Sequence, residues 1–183
     1  FATQGSLGNN NGGERISNLI RYTTPTFSGI SASAGAFKST TTAAVTQSAF
    51  PGGAEGEGQD YGIRFTQGAI DAMAAYTVYN TTNGTTADLT TKTSVMSLGA
   101  SYDAKVVKGF VTYNKRDHDV PGAAVGIVKF TDVTVGINVP VGNTNLLVAY
   151  GNGTDEGNTI KNDKSGFQVG AVHNLSKRTN IYA

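Results

Sequence analysis

The chain has 183 residues, with 14 Lys and Arg against 13 Asp and Glu, 24 Gly, no Cys and no Trp. The near-zero net charge argues against nucleic-acid binding, which normally needs a basic surface, and the lack of cysteine excludes disulfides and thiolate metal sites. No apolar run reaches the 18 residues of a transmembrane helix. Residues 1–5 lack the features of a signal peptide, so we expect them to lie inside a longer protein.

Helical periodicity is absent, whereas alternation of apolar and polar residues recurs along the whole chain. Most of the alternating segments have 8 to 11 residues. A tilted strand needs about 9–11 residues to cross a bilayer, while strands of soluble proteins average about 5–6. The segments predict ten strands, at 16–23, 30–38, 59–66, 69–79, 94–103, 106–115, 125–139, 145–152, 164–174 and 179–183.

The connections between these segments alternate strictly in length. The short ones are 24–29, 67–68, 104–105, 140–144 and 175–178, and the long ones are 39–58, 80–93, 116–124 and 153–163. This order predicts an up-and-down meander with short turns on one rim and long loops on the other. Transmembrane β-barrels of the outer membrane have this asymmetry.

The alternation also assigns two faces, because successive side chains of a strand point in opposite directions. In 132–139, for example, three valines and an isoleucine oppose Asp132, Thr134, Gly136 and Asn138. Tyrosines stand near the ends of the apolar face, at 22, 61, 76, 102, 113 and 150, as in an interfacial girdle. The polar face needs water, since its hydroxyls and amides would lack partners in a dry core. Phe110 breaks the pattern.

Alternation alone does not say which face is inside. The alternative is a soluble β-barrel or sandwich that binds a ligand or a glycan, with Tyr22, Tyr61 and Tyr102 buried. A third possibility, a membrane barrel that acts as an enzyme or adhesin, needs a catalytic group. We find no Ser/His/Asp set and no carboxylate pair suited to hydrolysis.

Two segments resemble the Gram-negative general porins, the betaproteobacterial kind above all. Residues 15–29, RISNLIRYTTPTFSG, resemble the strand and turn R-x-x-N-S-I-R-Y-x-S-P-x-F-x-G of that family. Residues 170–183, GAVHNLSKRTNIYA, resemble its segment Y-N-L-S-K-R-T-N-L-Y-A, with His173 in place of the usual Tyr. On the lipid-facing side near the short turns, a neutral imidazole would serve as an interfacial group.

The resemblance implies a transmembrane up-and-down antiparallel β-barrel of 16 strands and a homotrimer in the outer membrane of a Gram-negative bacterium. It also implies contacts with membrane lipid and lipopolysaccharide, and passive diffusion of small polar solutes and ions without catalysis or a cofactor. Residues 1–183 then form part of a single porin domain that lacks the first five strands, the constriction loop and the last strand.

The candidates for lining the pore are charged residues on the polar face. Arg21 and Arg64 each stand between apolar neighbours in mid-strand, where an arginine on the lipid side would cost about 2–4 kcal/mol. Asp71 and Lys108 share their face near short turns. In the porin family, arginines on the barrel wall face acidic groups on a loop that folds into the pore. The resemblance places Arg21 directly after that loop, which makes it the first candidate, and places Arg15 beside the constriction.

Three bases and one acid among Arg21, Arg64, Lys108 and Asp71 favour a weak anion preference. The alternative for Arg21 and Arg64 is a structural role, with each guanidinium hydrogen-bonded inside the wall.

Two acidic segments have weaker signals. The Asp-His-Asp run at 117–119, in a predicted loop, is a weak candidate for a cation site. Residues 154–158 resemble a calcium loop only in composition, because the spaced ligands and the final Glu are missing. We therefore expect no metal site.

Overall fold

The computed structural model describes residues 18–39, 55–82, 90–119, 127–157 and 161–183. All regular structure in these ranges is β, and each strand pairs antiparallel with its neighbours in sequence, so the sheet has the order β1 to β10. Among these residues no helix has the length and apolar character needed to span a membrane. The predicted all-β meander is confirmed. Its strands are β1 (Leu19–Thr23), β2 (Ile30–Ser39), β3 (Glu55–Gln67), β4 (Ile70–Thr82), β5 (Thr90–Asp103), β6 (Lys108–Asp119), β7 (Ile127–Val141), β8 (Thr144–Gly157), β9 (Lys161–Asn174) and β10 (Asn180–Tyr182).

The tightest turns join β3 to β4 and β7 to β8, each through two residues. Their first residues, Gly68 and Gly142, have φ of +58° and +59°, and the second residue of neither turn has a positive φ. This is the pattern of type II′ turns, which take glycine first and match the twist of the flanking strands. The turns therefore lie at 68–69 and 142–143, within two residues of the predicted positions.

The strands run farther into the predicted long loops than the sequence indicated. β3 begins at Glu55, β6 continues to Asp119, and the connection from β8 to β9 has shrunk from 153–163 to 158–160. The prediction ended each strand where the apolar side chains ended. The backbone ladder continues past that point, because its hydrogen bonds do not depend on side-chain polarity. The length asymmetry holds for the connections 40–54, 83–89 and 120–126.

The burial of the two faces is the inverse of that in a soluble protein. On the apolar face, Ile63, Leu98 and Val135 are 52%, 41% and 47% exposed. Among the buried residues of the opposite face are Asp60 and Asp132. We call the apolar face the outer face and the other the polar face. The soluble alternative is wrong, because the three tyrosines that it buries, at 22, 61 and 102, are all exposed.

Tyr76, Tyr113 and Tyr150 mark one edge of the outer face from β4 to β8, whereas Tyr22 and Tyr61 stand in the same register row as Tyr76. The register places Tyr113 two residues nearer to the short turns than Tyr76, and Tyr150 two residues nearer again. The edge therefore moves toward the short turns by one residue on each successive strand. With a rise of about 3.4 Å per residue and a strand spacing of about 4.8 Å, this shift inclines the edge by about 35° to the register rows. The inclination agrees with the tilt of about 35–45° in outer-membrane barrels, so Tyr76, Tyr113 and Tyr150 follow a line that is level with a membrane boundary.

Aromatic side chains on the polar face lie over glycines of the neighbouring strand. Phe37 and Tyr79 form a small buried core, with ring centroids 6.4 Å apart. Gly58 lies between them in the register, and a Cβ there would come within 2.6 Å of Phe37 Cζ and of Tyr79 Cβ. Phe110, which broke the sequence pattern, contacts the site where a Cβ of Gly136 would stand.

We expect Gly58→Ala to destabilise the protein by about 1–3 kcal/mol, the usual cost of overpacking. The added methyl group would meet the Val78 carbonyl and the Tyr79 Cβ, and neither can move without the strand. Urea unfolding of the full-length protein in detergent measures the difference. Gly109→Ala is the control, because nothing lies within 4 Å of a Cβ there. Equal effects of the two variants would contradict the packing argument.

Candidate functional site

The polar face carries the charges that can act on a solute. Over the described residues the register places five bases and five acids on it, whereas the sequence tally used four residues. Arg21, Arg64, Asp71 and Lys108 all lie on this face, and Arg15 lies outside the described residues. The tally left out Asp60, Asp103, Arg116, Asp132, Asp155 and Lys164.

Four of these charges stand in one register row across eight strands. Arg21, Asp60, Arg116 and Asp155 lie on β1, β3, β6 and β8, and the strands between them contribute uncharged residues. We call these four residues the charged row. Its signs alternate around the wall, an arrangement that only the strand register reveals.

The first pair of the charged row is an ion pair that passes over a glycine. Arg21 Nη2 lies 2.6 Å from Asp60 Oδ2, although β2 separates their strands. The β2 residue between them is Gly35, and a Cβ there would collide with Asp60 Oδ1. The glycine thus creates the space in which the two charges meet.

The second half of the charged row is also held by neighbours. Arg116 Nη2 donates a hydrogen bond of 3.2 Å to the Tyr79 hydroxyl, and Asp155 forms an ion pair with Lys164. Beside them, Asp132 accepts a hydrogen bond of 2.9 Å from Asn114 Nδ2. The charges are therefore fixed to the wall, which is the preorganisation that a static electric field requires.

A second cluster lies nearer to the short turns, on the hairpin of β3 and β4. Arg64 holds Asp71 through two hydrogen bonds, Nε to Oδ1 at 2.9 Å and Nη2 to Oδ2 at 2.7 Å. Thr66 Oγ1 donates to the same Oδ1 at 3.4 Å. Arg64 and Asp71 line a shallow pocket with Met73 and residues of β5 and β6. Lys108 stands opposite Asp103 in the register at this end.

The structural alternative for the two arginines is thus partly correct, because each is paired with a carboxylate in the wall. Both side chains nevertheless keep about half of their surface in solvent, at 46% for Arg21 and 58% for Arg64. Pairing and exposure coexist, since each guanidinium reaches its carboxylate with one edge.

The Asp-His-Asp run lies at the end of β6 and not in a loop, so His118 is on the polar face and both aspartates are on the outer face. His118 Nδ1 is 2.9 Å from Thr93 Oγ1 on the polar face, and its ring meets Phe130 edge-on. Asp117 is on the outer face, 2.8 Å from Lys115 Nζ. In the part of the chain that the structure describes, no group of three or more His, Cys, Asp or Glu is placed to hold a metal ion.

The other two motifs are also placed by strand alternation. Asp155 and Glu156, in the segment with calcium-loop composition, point to opposite faces of β8. His173 lies on the outer face of β9 near the short turns, with Nδ1 2.8 Å from Thr144 Oγ1.

Comparisons with known proteins agree with this arrangement. A family model described as Gram-negative porin matches residues 1–183. Outer membrane porin protein 32 of Delftia acidovorans is 30% identical over 180 residues, which cover 96% of this chain and 47% of that protein.

Solved structures are similar in fold. OmpT folded in vitro, an outer membrane protein of Vibrio cholerae, has a TM-score of 0.68 at 17% identity, with coverage of 90% of this chain and 51% of that chain. Its loop L8 deletion mutant has a TM-score of 0.68 at 18% identity, with coverage of 90% and 54%. The chain thus spans about half the length of the proteins that it matches.

Proposed function

Since this chain belongs to the Gram-negative porin family and is an outer-membrane protein, we propose that it forms part of a passive, non-enzymatic diffusion channel for small hydrophilic solutes and ions. The observation that carries the proposal is the inverted burial of the sheet. Apolar side chains cover the exposed outer face, and charged and hydroxyl side chains cover the other. Such a sheet suits a wall between lipid and water.

The channel requires a closed barrel, because unpaired strand edges are costly in lipid. The described sheet is open, with β1 and β10 each paired to one neighbour. We propose that residues 1–183 are one part of a single 16-strand porin domain, and that the other strands, the constriction loop and the last strand come from the rest of a longer protein. A homotrimer surrounded by lipid and lipopolysaccharide is part of the same proposal.

A weak anion preference is the finer part of the proposal. Five bases and five acids on the described polar face give little net field, but the members of each ion pair differ in exposure. The basic side chains of the pairs Arg21–Asp60, Arg64–Asp71 and Lys164–Asp155 are 46%, 58% and 33% exposed, and their carboxylate partners 7%, 21% and 8%. A permeating ion therefore passes closer to positive groups, which favours anions.

The test is conductance of the full-length protein in a planar bilayer. We expect ohmic, high-conductance steps. In a gradient of potassium chloride, we expect a reversal potential whose sign shows that chloride permeates more readily than potassium. Omitting the protein is the control for leak. Absence of conductance from correctly folded oligomers would refute the channel, and a reversal potential set by potassium would refute the anion preference alone.

A further inference from the structure

The pocket beside the Arg64–Asp71 pair, on the polar face of β3 to β6, has a volume of about 150 Å³. Arg64, Met73, Gly99 and Thr112 follow one another in a single register row on these four strands. Because Gly99 has no side chain, the floor of the pocket is lowest there, between Met73 and Thr112. Each of the four strands is paired on both sides, so the pocket belongs to the continuous part of the sheet and not to its edges.

Arg64 keeps one edge of its guanidinium for a ligand. Its hydrogen bonds to the residues that the structure describes are the two that Nε and Nη2 donate to Asp71. A guanidinium has five N–H donors in a planar fork, so both hydrogens of Nη1 and the second hydrogen of Nη2 remain. These donors form the outer edge of the fork, which suits bidentate binding of a carboxylate. The side chain is 58% exposed, so a solute can reach that edge.

Asp71 keeps an acceptor site next to that edge. Its Oδ1 accepts from Arg64 Nε and from Thr66 Oγ1, whereas Oδ2 accepts, among the described residues, from Arg64 Nη2 alone. Each carboxylate oxygen has two lone pairs, so Oδ2 can accept one more hydrogen bond. Nη2 lies 2.7 Å from Oδ2, so the remaining donors and the remaining acceptor are immediate neighbours.

The charges around the pocket sum to zero. Arg64 and Asp71 balance each other, and Lys108 stands opposite Asp103 on the next pair of strands. A solute with a carboxylate alone would be repelled by Asp71, and a solute with an ammonium group alone would be repelled by Arg64. A zwitterion whose two charges are close together is attracted by both residues.

The floor of the pocket suits an apolar group. Met73 lines it, and a methionine thioether is adaptable in shape and makes favourable contacts with aromatic rings. A cavity of about 150 Å³ accommodates a group of the size of a benzene ring. The hydroxyl-bearing residues Ser97 and Thr112 complete the lining and leave the pocket open to water.

We propose that this pocket binds apolar α-amino acids in their zwitterionic form. The carboxylate of the solute lies on the outer edge of Arg64, its ammonium group donates to Asp71 Oδ2, and its side chain lies over Gly99 against Met73. The inference rests on the proposed function, because the polar face must be the water-filled side of a channel for such a solute to reach it. It adds to that function a class of solute that is retained at the wall during its passage.

The experiment measures, by ligand-observed NMR titration, the affinity of the full-length protein in detergent for four probes. L-phenylalanine is compared with 3-phenylpropanoate, which lacks the ammonium group, with phenethylamine, which lacks the carboxylate, and with glycine, which lacks the apolar side chain. L-phenylalanine should bind about fivefold more tightly than either probe with a single charge, which is the upper end of what one exposed ion pair contributes. It should bind about tenfold more tightly than glycine, because its ring is partly buried.

Two variants test the two halves of the site. Asp71→Asn should bind 3-phenylpropanoate about fivefold more tightly than the wild type does and L-phenylalanine more weakly, because the charge of Asp71 repels the first and attracts the second. Gly99→Val fills the pocket without changing any charge, since its Cβ would stand 3.3 Å from Met73 Cγ, and it should weaken L-phenylalanine by about tenfold. Thr134→Val, in the same register row on β7 but outside the pocket, is the matched control and should change neither affinity.

The opposite responses of the two probes to Asp71→Asn separate recognition from loss of folding, which would weaken both. Equal affinity of the wild type for L-phenylalanine and 3-phenylpropanoate, or unchanged affinity for L-phenylalanine in Gly99→Val, would each overturn the inference. Conductance is recorded on the same preparations. A conducting protein that does not discriminate among the probes refutes this inference alone, and failure of the wild type to conduct refutes the proposed function.

Discussion

Ile137→Arg should lower the free energy of unfolding of the full-length protein in a bilayer by about 2–4 kcal/mol, whereas Thr134→Arg, three residues away, should leave it nearly unchanged. Ile137 is 45% exposed on the outer face of β7, between the tyrosine edge and the last residue of the strand, and Thr134 is on the polar face. An arginine on the lipid side of a barrel costs about 2–4 kcal/mol at the midplane, while the same side chain on the polar face is solvated. Urea titration of folding into lipid vesicles measures the difference.

The depth dependence of the cost is the control. Val141→Arg, on the same face at the last residue of β7, should cost about 0–1 kcal/mol, because charges near the interface stay hydrated. A larger cost at Thr134 than at Ile137 would mean that the faces are assigned the wrong way round, and the channel proposal would fail with that assignment.

Arg21→Glu should shift ion selectivity toward cations by about thirtyfold in the permeability ratio of cation to anion. The substitution changes the wall by two unit charges and places a second carboxylate beside Asp60. At about 8 Å in water, a change of two unit charges lowers the energy of a cation and raises that of an anion by about 1 kcal/mol each, which is about fivefold for either ion and about thirtyfold for their ratio. Reversal potentials in a gradient of dilute potassium chloride are the readout, because concentrated salt screens the effect.

A charge swap separates the field of the pair from its structure. Arg21→Asp combined with Asp60→Arg keeps the net charge, so its selectivity should lie much closer to that of the wild type than to that of Arg21→Glu. If Arg21→Glu conducts with unchanged selectivity, Arg21 does not lie where the channel is narrow, and its role is confined to bracing the wall.

The two faces of the sheet were predictable from the sequence because a strand has a period of two. The valines of β7 and the intervening polar residues could be assigned from their order alone, and the tyrosines at the strand ends favoured a lipid-facing apolar side over the soluble alternative. The short turns were predictable for a similar local reason, since Gly68 and Gly142 supply the positive φ that a two-residue hairpin needs.

The partners of the site residues could not be predicted, because they depend on register. Asp60 is 39 positions from Arg21 in the chain and meets it only because β2 presents Gly35 between them. Phe110 looked like an error in the pattern for the same reason, since the glycine beneath it belongs to another strand. The sequence prediction ended β6 and β8 too early, because the backbone hydrogen bonds of these strands continue past the last apolar side chain.

That extension of the strands beyond the apolar zone has an evolutionary consequence. The hydrogen-bonded sheet between the apolar zone and the connections 83–89 and 120–126 acts as a spacer. Insertions, deletions and substitutions in these connections are therefore separated from the apolar zone and can accumulate at little cost to folding. The connections are thereby free to diversify while the paired strands stay unchanged.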